Sequence, residues 1–231
     1  MTTLLMRLAG PMQAWGDSSR FAHRQTRHEP TKSGVLGLLA AAQGRRRTDP
    51  IEDLAQLRFG VRVDQRGSLI RDFQTAHHLI SGKPMPLTYR YYLSDAVFVA
   101  AVEGDRALLE GLHDALRSPA FPLYLGRRSC PPAAPVALGL QESDLVTALG
   151  ETPWLASARH RRESPRTVML RTVVDAAAAD AVVETVRDVP ISFSQERREY
   201  GWREIAETSV MVTNPEGSAT ASEFFATVEG A

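Results

Sequence analysis

Two adjacent arginines, Arg127 and Arg128, sit in the segment Pro122-Leu-Tyr-Leu-Gly-Arg-Arg-Ser-Cys-Pro131. Guanidinium groups are planar, permanently charged forks that match phosphate oxygens. The chemistry on offer is therefore polyanion binding. Gly126 permits a backbone conformation that a Cβ resists, and Tyr124 and Ser129 flank the pair with a ring and a hydroxyl. Neighbouring residues of an extended segment point to opposite sides. Either both arginines grip a strand that wraps the loop, or one of them holds the loop to the protein. Taken alone, the segment also reads as a solvated turn.

A second candidate is Thr31-Lys32-Ser33-Gly34. Val35, Leu38, Leu39 and Ala42 follow it at the spacing of a core-facing helical stripe. Thr31 or Ser33 then caps the helix. Free N–H groups at such a terminus favour an anion. Ordinary capping beside a surface lysine is the competing reading. The loop before it is basic, with Arg20, Arg24 and Arg27, and Met12, Gln13 and Trp15 lie where a glycine turn leaves the first strand. Trp15 reads equally as a core residue and as a base-stacking ring. Cys130 has no base and orienting partner at recognisable spacing, so it reads as a small residue that packs the loop or as a weak polar contact to RNA.

These residues need a scaffold. Thr2 to Leu8 predicts a buried strand, and Asp49-Pro50 opens a short helix to about Leu57. Phe59, Val61 and Val63 alternate with polar residues as a half-buried strand does. A turn at Gln65–Ser68 precedes Leu69–Phe73. Residues 74–91 carry His77, His78 and Arg90 without a period, a long excursion of the kind that is often functional. Ala96–Val102 predicts a central strand, and Asp105 caps a helix with Leu109, Leu112 and Leu116 on one face. Leu123–Leu125 then reads as the last strand of a βαββαβ, ferredoxin-like plan.

The prolines of 131–135 read as a domain boundary. Beyond it, Ser143–Leu149 predicts a helix, 159–166 a basic loop and Thr167–Val174 a strand. Ala176–Arg187 predicts a helix, Val189–Phe193 a strand, 195–204 a charge-dense segment and Ser209–Val212 a short strand. The tail from Asn214 is expected to be poorly ordered. The expected domains are thus 1–130, with an insertion at about 69–92, and 131–213.

The 231 residues hold 27 basic and 27 acidic side chains, so only local clustering supports a nucleic-acid partner. The single cysteine excludes an internal disulfide and suits a reducing cytoplasm. The longest apolar run, Val35–Ala42, is far too short to span a bilayer. No metal-ligand spacing is present in the sequence, and neither metal nor cofactor is expected.

Five segments occur together: Arg7-Leu-Ala-Gly-Pro-Met-Gln-Ala-Trp-Gly16, Pro30-Thr-Lys-Ser-Gly-Val-Leu-Gly-Leu-Leu39, Arg71-Asp-Phe-Gln-Thr75, Tyr91-Tyr-Leu-Ser-Asp-Ala96 and Tyr124-Leu-Gly-Arg-Arg-Ser-Cys-Pro131. In order and spacing they resemble the CasD family, subunits of the type I-E CRISPR surveillance complex Cascade. The resemblance covers roughly residues 1–140. Asp188-Val-Pro-Ile191 with Arg197, Tyr200 and Arg203 extends it more weakly.

The resemblance implies an α+β protein with a ferredoxin-like (RRM-like) N-terminal domain. A β-hairpin thumb projects from that domain, and a smaller β-rich C-terminal domain follows. It implies no catalysis. The chain would bind the 5′ handle of CRISPR RNA and cap the CasC backbone beside the large subunit CasA, in a complex that binds target DNA. The RNA-binding residues would be Met12, Gln13, Trp15, Arg20, Arg24, Arg27, Thr31, Lys32, Ser33, Gly34, Tyr124, Gly126, Arg127, Arg128 and Ser129. Arg71, His77, His78 and Arg90 would serve the thumb, toward RNA or a neighbouring subunit. The competing class is a metal-independent endoribonuclease. It would pair His23, His28, His77 or His78 with Lys32 or Tyr124 around a 2′-hydroxyl.

Overall fold

The computed structural model describes residues 1–16, 23–178, 180–194 and 196–217. The expectations for Arg20 and for the tail beyond 217 lie outside the described residues. The elements are β1 (Thr2–Ala9), β2 (Met12–Gln13), β3 (His23–Arg24), α1 (Lys32–Ala42), α2 (Glu52–Ala55), β4 (Arg58–Gln65), β5 (Ser68–Gln74), β6 (Thr88–Ser94), β7 (Val97–Gly104), α3 (Arg106–Arg117), β8 (Ala137–Gln141), α4 (Leu145–Glu151), α5 (Ala158–Arg162), β9 (Thr167–Asp175), β10 (Glu184–Ser192) and β11 (Glu199–Thr213).

They build a mixed α/β fold dominated by strands. One sheet runs β10-β11-β9-β4-β7-β1-β8, with every neighbouring pair antiparallel. A smaller sheet joins β2, β3, β5 and β6. The centre of the large sheet is covered on both faces. Leu4, Met6 and Leu8 of β1 pack with Leu36 and Leu39 of α1 and with Leu109 and Leu112 of α3. Leu5, Val99 and Ala101 point the other way, onto Leu145, Ala148 and Leu149 of α4. A buried leucine contributes roughly 2 kcal/mol, so this double cover is the main reason the central strands are fixed.

The helix starts follow side-chain capping. Thr31 accepts from the Gly34 N–H, Asp105 from Leu108, and Asp144 from Val146 and Thr147. Each cap satisfies an N–H that the helix itself leaves orphaned.

Arg62 is fully buried in β4. Its Nε and one Nη donate to Asp64, and the Nη groups also reach the carbonyls of Leu149, Thr152 and Pro153. All the donors of the fork are used. Asp64 in turn accepts from the Leu155 N–H. The clamp ties the segment after α4 to the sheet.

Several expectations are corrected. Residues 123–125 form no strand. Leu125 donates to the Cys130 carbonyl and accepts from Ala14, so its backbone groups are spent within the loop. The strand beside β1 is instead β8, beyond the prolines. Leu69–Phe73 does not return along β4. It belongs to β5, which leaves the large sheet and pairs with β6 over its whole length. The expected helix at 176–187 does not form among the described residues, and Glu184–Arg187 lie on β10; the alanine run offers a weak apolar face. Val186 packs with Val173 and Ile205 on a strand instead. Ser209–Val212 belongs to β11, which runs from 199 to 213. Within the basic loop, Ala158–Arg162 is the short helix α5. Asn214 is buried, and its side-chain amide donates to the carbonyls of Arg161 and Pro165.

Candidate nucleic-acid interface

The loop 122–131 is pressed against the turn after β2. The Ala14 N–H donates to the Leu125 carbonyl at 3.1 Å. Gly126 has φ of 88°, and a Cβ placed there would lie 1.7 Å from the Ala14 carbonyl oxygen. Only glycine fits, for both reasons. From this fixed point the two arginines diverge.

Arg127 turns inward. Its guanidinium lies 4.7 Å from the Tyr92 ring centroid and donates to the carbonyls of Tyr91 at 3.2 Å and Arg24 at 2.8 Å. It joins β3, β6 and the loop. Arg128 turns outward into a groove of about 600 Å3, where Tyr124, Arg46, Arg47, Arg198 and Tyr200 also lie. Arg46, Arg47, Arg128 and Arg198 are exposed and form no ion pair among the described residues. Arg45, beside them, is held by Asp53 at 2.6 Å, and that hydrogen bond raises its pKa. Four unneutralised forks around one concavity give a neutral chain a locally positive face. Tyr124, Tyr200, Phe121 and Phe193 add rings to the same wall. Arginine with aromatic rings is the composition that takes phosphates and splayed bases of a single strand.

The anion expected at the start of α1 is present, and it belongs to the protein. Asp188 accepts from the Lys32 N–H at 2.7 Å. The Lys32 ammonium is paired with Asp175 at 2.9 Å, and its side chain is 7% exposed. Arg203, read in the sequence as part of a basic segment, bridges the same two carboxylates. Burial opposes its charge, and Asp188 and Asp175 outweigh that, holding its pKa above the ordinary value. Thr31, Lys32 and Ser33 are all buried. The helix terminus is a latch for the C-terminal strands, with its positive end already satisfied.

Gln13 and Trp15 are also interior. Gln13 donates to the carbonyls of Leu8 and Ala96 and accepts from the Trp15 indole N–H at 3.0 Å. Trp15 is 1% exposed and lies against Gly34, where a Cβ would come within 2.8 Å of the ring. Met12 is half-buried on β2. Arg27 pairs with Glu184 at 3.1 Å, whereas Arg24 is exposed on β3. Ser129 is exposed beside the buried Cys130, whose thiol pKa is pushed up by burial.

On the ribbon of β5 and β6, Arg71 lies over the Tyr89 ring. Arg90 is half-buried, and its Nε has no hydrogen-bond partner among the described residues. His77 and His78 lie near the tip, where the His78 ring contacts the Ser81 hydroxyl at 3.1 Å. The structure therefore does not gather the histidines around Lys32. Among the described residues, no group of three or more His, Cys, Asp or Glu side chains is placed to hold a metal, and no helix is long and apolar enough to cross a membrane.

Sequence reasoning missed Arg45, Arg46 and Arg47, along with Phe121 and Phe193. The signal was a run of three arginines just past Gly44. Cations after a helix C-terminus are common for electrostatic reasons alone, so the run does not stand out until the fold sets Arg128 and Arg198 opposite it.

The chain is similar in sequence and fold to known proteins. The family described as "CRISPR-associated protein (Cas_Cas5)" matches residues 3–206. The "CRISPR system Cascade subunit CasD" of Escherichia coli (strain K12) is 37% identical over 167 residues, covering 63% of this chain and 75% of the relative. A chain in a solved "CRISPR RNA-guided surveillance complex" superposes with a TM-score of 0.77 at 32% identity, covering 99% of this chain and 98% of that one. A crystallised Cas protein gives a TM-score of 0.70 at 41% identity, covering 94% and 98%. The chain belongs to the Cas5 family of CRISPR-associated proteins.

Proposed function

We propose that the chain is a non-catalytic, cytoplasmic subunit of a CRISPR Cascade complex and grips the 5′ handle of CRISPR RNA. The observation that carries this reading is the groove around Arg128. It presents four exposed guanidinium groups and aromatic rings to one concavity in a protein of zero net charge. The match to the named Cascade subunit of Escherichia coli supplies the assembly. In it, the chain caps the CasC backbone beside the large subunit CasA, with target DNA bound by the whole complex.

We read β1, α1, β4, β7, α3 and β8 as a ferredoxin-like unit. The strand order β8-β1-β7-β4 supports that reading, and β5 with β6 is its thumb. Residues 1–130 with β8 form this unit, and the remaining part of 131–213 extends the same sheet as a C-terminal portion. A neutral subunit holds RNA weakly alone and gains retention from its neighbours by multivalency.

The test is reconstitution of the complex with CRISPR RNA. An Arg46→Ala/Arg47→Ala/Arg128→Ala variant is expected to fold normally and to lose RNA at a lower salt concentration than the parent. Unchanged retention sinks the groove as the RNA site. Specific cutting of repeat RNA by the purified chain, abolished by His23→Ala or His77→Ala, would replace the reading with an endoribonuclease.

A further inference from the structure

The segment Arg159-His-Arg-Arg-Glu-Ser-Pro-Arg166 puts four arginines and a histidine into eight residues, and the groove around Arg128 does not use it. It lies across the large sheet from α1. Trp154 and Ala156, which lead into α5, pack on Leu170, Val168 and Val212. Leu170 alternates onto the same face as Val174, which packs on α4. Helix α1 lies on the other face, with Leu4 and Met6.

Helix α5 buries none of its own residues, yet it is fixed in place. The Ser157 hydroxyl accepts from the His160 N–H, and the Ser157 N–H donates to the Gln65 side chain at 3.0 Å. The Trp154 indole donates to the Asp64 carbonyl at 2.9 Å, and the Trp154 and His160 rings meet edge-on with centroids 5.9 Å apart. Cations at a helix C-terminus commonly serve its free carbonyls. Here those carbonyls are already taken: Arg159 by the Glu163 N–H, His160 by the Ser164 hydroxyl and Arg161 by the Asn214 amide.

The carboxylates within reach are also engaged. Glu163 pairs with Arg159 at 2.8 Å, and Glu216 pairs with Arg161 at 2.9 Å. Arg162 and Arg166 are exposed and form no ion pair among the described residues. Single-stranded RNA would need rings to stack on, and a protein partner would need an apolar centre. Residues 157–167 hold no large apolar side chain, and their one ring, His160, is turned against Trp154. A duplex needs only cations, because its bases are stacked inside and its axis carries one phosphate charge per about 1.7 Å.

We infer that α5 and the loop after it form a contact for the phosphate backbone of double-stranded DNA, with Arg162 and Arg166 as its phosphate-binding residues. The contact reads no sequence, and it is separate from the arginine groove. Its test in the assembled complex rests on the reading of the chain as a Cascade subunit.

The experiment titrates the reconstituted complex with a fluorescent duplex DNA of unrelated sequence over a range of salt concentrations. Arg162→Ala/Arg166→Ala is expected to weaken duplex binding about tenfold and to reduce the slope of log affinity against log salt by about 2. Arg162→Lys/Arg166→Lys should keep the parental slope, because the charge is retained. Both residues are exposed, so a thermal melt is expected to show the variants folded, with CRISPR RNA retained as in the parent. An unchanged duplex affinity and slope overturns the contact and leaves the handle reading intact. A lysine variant as weak as the alanine one means that charge is not what binds, and overturns it too. Loss of CRISPR RNA instead of duplex makes this an RNA site, and failure of the alanine variant to join the complex makes it a subunit interface; either result overturns the inference. The handle reading fails on a different observation, RNA retention by the groove variant.

Discussion

The Arg127 guanidinium lies 4.7 Å from the Tyr92 ring centroid and donates to the Arg24 carbonyl at 2.8 Å. One side chain thereby fixes β3 and the loop 122–131 to the root of the ribbon. Its neighbour Arg128 has no such duty. Two residues identical in type and adjacent in sequence therefore divide into a positioning residue and a candidate contact.

Salt dependence separates the two. Each protein–phosphate contact adds to the slope of log affinity against log salt. In the reconstituted complex, Arg128→Ala is expected to leave the melting temperature unchanged and to reduce that slope by about 1. Arg127→Ala is expected to lower the melting temperature and leave the slope where it was. The opposite pattern would reverse the roles.

Gly126→Ala is expected to cost about 3 kcal/mol of folding stability, measured by urea titration. The left-handed backbone and the Ala14 carbonyl at 1.7 Å from the added Cβ both oppose the substitution. Gly82→Ala, also at positive φ but with nothing within 4 Å of its Cβ position, provides the comparison. A similar loss at both positions would mean that strain alone decides.

The buried Arg62–Asp64 pair should behave as a clamp. Asp64→Ala leaves the guanidinium without its carboxylate and is expected to cost about 3–5 kcal/mol. Replacing both, as in Arg62→Met/Asp64→Leu, is not expected to restore stability. The carbonyls of Leu149, Thr152 and Pro153 then lose their donor. A double variant as stable as the parent, by chemical denaturation, would show that water or rearrangement satisfies them.

Asp188 is expected to be a stability residue with no share in RNA contact. Asp188→Asn keeps the shape and removes the charge that faces Arg203 and the start of α1. Its melting temperature should fall while the salt slope of RNA retention stays unchanged. A gain of RNA affinity would mean that the helix terminus accepts phosphate once its own carboxylate is gone.

Cys130 is expected to resist a thiol reagent at neutral pH in the native chain and to react fully in denaturant. Burial raises its pKa and keeps the thiolate scarce. Rapid native labelling would show that the loop opens.

Local rules were legible wherever a residue acts on its own neighbourhood. Thr31 and Asp105 cap the helices that their positions announce. Leu109, Leu112 and Leu116 form the stripe that their spacing dictates. The apolar run at 96–102 lies in the centre of the sheet, covered on both faces. Ala176–Arg187 misled because helix propensity is a weak prior, and its second part is held as a strand by pairing with β11 and by packing of Val186 on Val173 and Ile205, contacts outside the segment itself.

The sequence by itself determined which residues are able to bind an anion: a helix terminus, two arginines on a glycine loop and a line of basic residues before it. Only the tertiary structure decided which of them are free to do so. Asp188 arrives from 156 residues away to occupy the helix terminus, carbonyls of β3 and β6 claim Arg127, and Arg46, Arg47 and Arg198 assemble around Arg128. Charge is a property of a residue, but its availability depends on what the chain folds against it. At a fixed donor, the folded protein's own carboxylates and carbonyls compete with any ligand, and long-range contacts of that kind leave no local pattern in sequence.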